Sequence, residues 1–203
     1  LPSLIVTSKA TIRKEIRARR QSLSETERRF AAAGVLQQLR KISCFRIANK
    51  VSVYLANDGE LPLELVVDFL WTRNKRVFLP VLFGRKSRLM HFARFAKDSR
   101  FKLNRFGILE PDLPIRRQLK PQNMDVILMP LVAFDRAGNR LGMGGGFYDK
   151  TFAYLRNRRR WYKPHLIGIA YDLQEVNSLP GDKWDVPPDY IVTESKTIKV
   201  SKR

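Results

Sequence analysis

The sequence predicts an α/β fold, a three-layer sandwich with a mainly parallel central sheet, one antiparallel hairpin and helices on both faces. Three observations carry that expectation. Apolar runs rich in β-branched and aromatic residues alternate with runs of helical periodicity, the pattern of strands joined by crossover helices. "DVILMPLVAF" (125–134) is the most continuous apolar strand in the chain. "RVFLPVL" and "RLMHFARF" are separated by only "GRKS", which predicts the antiparallel hairpin.

The elements follow in order. Two helices open the chain. In the first, strongly basic one, Ile12 and Ile16 lie one turn apart; "SETE", with Ser24 and Glu27, predicts a capping box for the second. There Phe30, Ala33 and Leu36 or Gln37 recur at helical spacing and are expected to share a face. "VSVYLA" (51–56) reads as a buried strand. In "LPLELVVDFLWTR", Pro62 suits a first helical turn, with Leu65, Phe69 and Leu70 on one face. After the hairpin and the 125–134 strand come a glycine loop, "YDKTFAYLRNRRR" as a helix, and the strands "HLIGIAY" and "DYIVTE". No repeat or composition shift marks a second domain, so residues 1–203 are expected to form one.

Composition narrows the class. No apolar run approaches the roughly 20 residues that span a bilayer, and "LPSLIVTSK" is too short for a signal-peptide core. One cysteine, Cys44, permits no intramolecular disulfide and fits a reducing, cytoplasmic setting. Two histidines and that cysteine argue against structural zinc. The loud feature is charge: 39 Lys and Arg against 19 Asp and Glu, a net +20. Basic clusters at 13–20, 100–106 and 156–163 read first as solvated helix faces, and second as an attraction for polyanions.

"NRLGMGGGFYDK" (139–150) places four glycines within five residues, at considerable entropic cost unless backbone must turn sharply or approach something closely. Strand, glycine loop and helix together suit a phosphate. The loop is not a Walker A motif, because Phe147 and Tyr148 stand where Lys and Ser or Thr belong. It is not the dinucleotide fingerprint either, because Phe147 replaces the third glycine. Asp149, in the first turn of the following helix, could hold Mg²⁺ against a bound phosphate. Asp185, in the proline-rich "GDKWDVPPDYIV", is a second candidate. For either acid alone, a helix-start or turn role is the simpler reading.

The ordered segments resemble the 5-formyltetrahydrofolate cyclo-ligases, also called methenyltetrahydrofolate synthetases. "DRAGNRLGMGGGFYDK" is similar to their glycine signature, and "KATIRKEIRARR" to their N-terminal helix. "VSVYLANDGELPLELV", "FGILEPD", "DVILMPLVAFD" and "LPGDKWDVPPDYIVTE" complete the series. The resemblance implies an ATP-dependent ring closure of 5-formyltetrahydrofolate, with or without a polyglutamate tail, to 5,10-methenyltetrahydrofolate. It implies ATP contacts at Lys9, Arg13, Arg140, Leu141, Gly142, Met143, Gly144, Gly145, Gly146, Phe147 and Tyr148. Folate contacts would fall at Leu55 and Glu60 and along Met143, Gly144, Gly145, Gly146 and Phe147, and Mg²⁺ ligands at Asp149 and Asp185. The chain departs from the pattern at Trp184, where the family commonly has His, and at Met143 and Phe147 inside the loop. A monomer is expected, with no membrane and no specific nucleic acid partner. The alternatives are a basic RNA-binding protein, using its arginine clusters and neighbouring aromatics, and a non-catalytic nucleotide-binding α/β module.

Overall fold

A computed structural model describes residues 8–84, 87–157 and 163–201. The helices are α1 (Lys9–Gln21), α2 (Glu25–Leu39), α3 (Ser43–Ile47), α4 (Glu64–Thr72) and α5 (Phe147–Thr151). The strands are β1 (Lys50–Ser52), β2 (Arg76–Phe83), β3 (Leu89–Phe95), β4 (Phe101–Leu103), β5 (Leu109–Pro111) and β6 (Val126–Pro130). They continue with β7 (Ala133–Phe134), β8 (Arg140–Leu141), β9 (His165–Ile169), β10 (Tyr190–Val192) and β11 (Thr197–Lys199).

Seven strands form the central sheet in the order β11-β10-β9-β6-β1-β2-β3. The neighbours from β10 through β2 pair in parallel. β3 closes one edge antiparallel to β2, in the hairpin the sequence predicts, and β11 closes the other antiparallel to β10. Because strand side chains alternate, β2, β6 and β9 feed two cores, and β1 adds Val51 to the first. Val51, Leu79, Leu128 and Ile167 pack on one face with α2, α3 and α4. Phe78, Ile127, Met129 and Leu166 pack on the other with Phe152 and Leu155. This is the expected α/β sandwich with helices on both faces.

The order of the parallel strands positions the site. Numbered along the chain, β1, β2, β6, β9 and β10 lie side by side as 2-1-3-4-5. The order reverses between β1 and β6, so the chain leaves their carboxyl ends in opposite directions and opens a crevice there. The connections that follow are residues 53–63 after β1, which include Glu60, and residues 131–146 after β6, which include the glycine loop. α1 crosses this end of the molecule. Ile12 and Ile16 pack there with Val132, Ala133 and Leu141.

Several local expectations need correction. In α2 the buried face is Ala31, Ala32, Val35 and Leu39, and Phe30 is 76% exposed. Apolar residues surround most of this helix, so periodicity alone could not choose the face. The capping box at Ser24 and Glu27 forms as expected. α4 starts after Pro62 and buries Val66, Val67 and Leu70 while Leu65 stays exposed. Regular pairing in β1 stops at Ser52, and the 125–134 run is two strands, β6 and β7, bent apart at Leu131. The glycine loop therefore follows the small β7–β8 hairpin rather than β6 directly. The helix expected at 148–160 is the short α5 and a 3-10 turn at Ala153–Asn157. Trp161, Tyr162 and much of the 156–163 basic cluster lie outside the described residues.

Candidate functional site

The glycine loop shows why its residues are small. Gly144 (φ 95°) and Gly146 (φ 67°) adopt left-handed backbone, which side chains with a Cβ rarely tolerate. Gly146 then starts α5. Phe147, the first residue of that helix, meets Phe106 edge to face, with ring centroids 5.6 Å apart. Phe106 sits at the tip of the β4–β5 hairpin, which thereby reaches the loop. Met143 and Trp184 are 50% and 61% exposed. So exposed an indole does not cap the core.

α1 holds the loop from the other side. Arg13 donates from Nε to the Gly142 carbonyl at 2.8 Å, and its guanidinium carbon and two of its nitrogens border Gly144. Lys9, one turn earlier, bonds Asp182 at 2.7 Å in the loop that also carries Asp185. Both cations thus face the parts expected of a nucleotide site, as their four-residue spacing requires. The solvated-face reading of cluster 13–20 consequently fails for Arg13 and for the buried Arg20, while Arg17 stays partly exposed as it pairs with Asp58.

The two candidate metal ligands are neighbours. Asp149 is ion-paired through Oδ1 with Arg140, and the same oxygen accepts the Val186 N–H at 3.1 Å. Arg140 also donates to the Val186 carbonyl at 3.2 Å. Asp185 is the residue before that peptide unit, and its Oδ2 accepts the Asp182 N–H at 2.9 Å. Among the described residues no group of three or more His, Cys, Asp or Glu side chains converges as a metal cage. A pair of carboxylates suits a magnesium ion that keeps waters and takes phosphate oxygens for its remaining ligands.

The folate candidates lie across the crevice. Glu60 ends a tight turn in which its N–H donates to the Asn57 carbonyl at 2.9 Å, while its Oε2 accepts the Asn57 N–H at 3.1 Å. Burial pushes its carboxyl up to about 7, against that hydrogen bond and the nearby Arg20. Glu60 in turn raises the phenols of Tyr54 and Tyr148, whose own burial is the larger cause. Tyr148 follows the glycine loop, so the Glu60 carboxyl lies near enough to that loop for its charge to be felt there. Leu55 packs against the core instead of standing free. Leu141 is likewise buried, with Ile12 and Ile16.

A family comparison decides what this arrangement belongs to. The family model described as the 5-formyltetrahydrofolate cyclo-ligase family matches residues 5–194. The chain belongs to that family.

Named cyclo-ligases align over nearly their full length. The 5-formyltetrahydrofolate cyclo-ligase of Haemophilus influenzae is 40% identical over 176 residues, 87% of this chain and 92% of that one. The Escherichia coli cyclo-ligase is 39% identical over 181 residues, covering 89% and 97%. The NMR structure of Aquifex aeolicus 5,10-methenyltetrahydrofolate synthetase superposes with a TM-score of 0.76 at 31% identity, covering 95% of this chain and 92% of that one. The match does not favour the RNA-binding or non-catalytic alternatives. Among the described residues no helix is long and apolar enough to cross a membrane.

Sequence reasoning missed several of this cyclo-ligase's site neighbours: Asp182, Tyr54, Tyr171, Phe106, and the Arg20–Asp58 pair. Arg20 did carry a signal. It continues the buried stripe Ile12, Ile16 at the same four-residue spacing, yet it stands inside a basic run that hides it.

Proposed function

We propose that the chain, read as one cyclo-ligase domain working in the cytoplasm, converts 5-formyltetrahydrofolate and ATP to 5,10-methenyltetrahydrofolate, ADP and phosphate. The observation that carries this reading is the convergence of the glycine loop, α1 and the Glu60 turn at the β1/β6 crevice. A formamide oxygen is a poor leaving group. In this reading it attacks the γ-phosphorus and ADP departs, leaving an iminium phosphate at nitrogen 5. Nitrogen 10 then attacks the formyl carbon, the carbon–oxygen bond breaks, phosphate leaves, and the nitrogen 10 proton is released.

The chain's residues divide this work. Lys9, Arg13 and the 142–146 backbone face the nucleotide phosphates and neutralise charge that grows during transfer. Arg13 keeps the loop open by holding the Gly142 carbonyl. Glu60 accepts hydrogen bonds from the pterin's amino and ring N–H groups. Phe147, Phe106 and Met143 supply an apolar wall for flat rings. Asp149 and Asp185 would hold magnesium, which when bound screens the phosphate oxygens. Incubating the protein with 5-formyltetrahydrofolate tests the reading. Methenyl product should form only with ATP and a divalent metal together, and its absence from folded protein overturns the proposal.

A further inference from the structure

Arg20 is the largest fully buried side chain of the described residues, and the reaction outlined above gives it nothing to do. Its guanidinium joins three segments. One terminal nitrogen donates to the Asp58 carbonyl at 2.9 Å and to the Asp58 carboxylate at 3.2 Å. The other donates to the Leu131 carbonyl at 3.3 Å, and Nε has no partner. Arg20 therefore bolts α1 to the connection that follows β1 and to the first residue beyond β6, the two walls of the crevice.

Asp58 is gripped further. Arg17 donates to it at 2.5 and 3.1 Å and Gln21 at 2.7 Å, so three α1 side chains end on one carboxylate. The turn needs such restraint. Asp58 (φ 53°) and Gly59 (φ 73°) are both left-handed, and a Cβ at Gly59 would sit 3.2 Å from the Arg20 backbone. Glu60 is the next residue, and its side chain closes the same turn on Asn57. Wherever α1 holds Asp58, Glu60 must follow.

We propose that Arg20 and Asp58 are positioning residues for folate recognition: they fix against the C-terminal half of α1 the turn that presents Glu60. This inference rests on the cyclo-ligase reading of the site. Neither residue contacts substrate, and both act through Glu60.

Two variants separate this role from plain stability. Arg20→Lys keeps the charge, but one ammonium cannot reproduce the fork that spans Asp58 and Leu131. Asp58→Asn keeps the shape and removes the charge that the arginines hold, and it serves as the readout should Arg20→Lys fail to fold. For each, KM for 5-formyltetrahydrofolate, KM for ATP and kcat are measured beside wild type, with hydrogen exchange of the 55–62 peptide. The expected result is a rise of about tenfold or more in folate KM, ATP KM within about twofold, and faster exchange at the turn. An unchanged folate KM in folded variants overturns the inference. So does a parallel rise in both KM values, which marks general displacement of α1. An inactive wild type instead overturns the functional reading, and this inference with it.

Discussion

At the scale of single residues, Glu60 makes the clearest pH prediction. It is surrounded by Tyr54, Tyr148, Tyr171, Arg20 and Asp58, and burial raises its carboxyl from 4.5 to about 7. The folded protein thus holds this proton more tightly than the unfolded chain. The associated stability is present below the unfolded value and is lost as pH rises from 4.5 through about 7. Glu60→Gln should flatten that part of the Tm-against-pH curve. Folate recognition should run the other way in wild type, with KM rising as pH falls below about 7, because protonation turns one acceptor oxygen into an O–H donor that opposes the pterin's N–H groups and removes the charge that strengthens the other bond. A pH-independent folate KM removes Glu60 from that contact. Asp149 makes a second test. Its substitution by Asn should lower turnover by about a hundredfold if the carboxylate helps organise phosphate charge. It should also cost up to about 3 kcal/mol of stability, since the Arg140 side chain is only 5% exposed and loses its anion. Thermal melts and steady-state kinetics separate the two effects. For the exposed Trp184, substitution by His should move stability by no more than about 0.5 kcal/mol, so any change in ATP or folate affinity reports on the site.

At the scale of elements, α1 links both halves of the site. Its Lys9 and Arg13 address the glycine loop and the Asp182–Asp185 loop, while Arg17, Arg20 and Gln21 hold the Glu60 turn. A helix is a rigid spacer rising about 1.5 Å per residue, so positions 9 and 20 lie roughly 16 Å apart and can serve both subsites. The α5 start is equally constrained. Gly146→Ala places a Cβ in left-handed backbone and should destabilise by about 1–2 kcal/mol, seen as an earlier midpoint in urea. A variant as stable as wild type shows that the loop relaxes to another conformation. α2, by contrast, carries none of the candidate site residues. Ser24→Ala breaks its capping box and should cost about 1 kcal/mol without changing either KM.

At the scale of the whole molecule, the net charge of +20 and the reversal of strand order act differently. Charge draws anions to the entire surface and selects none of them. Weak, sequence-independent association with RNA is expected, falling steeply with salt as counterion release predicts. Tight binding with a sequence preference at high salt would sink that expectation. The strand order, in contrast, creates one place where two connections diverge, and these connections carry the glycine loop and the Glu60 turn.

How much of this was legible before folding follows from range. The fold class, the β2–β3 hairpin, the α2 capping box and the need for glycine at 144 and 146 all depend on neighbours a few residues away. Their signals stand in the sequence as periodicity, turn chemistry and motif. The resemblance carried the site candidates in the same way, because it is a pattern of residue types in order. What the sequence could not decide were choices set by contacts between distant segments. A helix apolar on most sides, such as α2, acquires its buried face only from the sheet it meets. The continuous run 125–134 divides into two strands because Val126–Pro130 pairs with β1 and β9 while Ala133–Phe134 pairs with the distant Arg140–Leu141. Arg20 looks like one more surface cation until its guanidinium is placed against Asp58, 38 positions away, and Leu131, 111 positions away. A buried charge is tolerated only where such partners surround it, and tertiary structure alone brings them there.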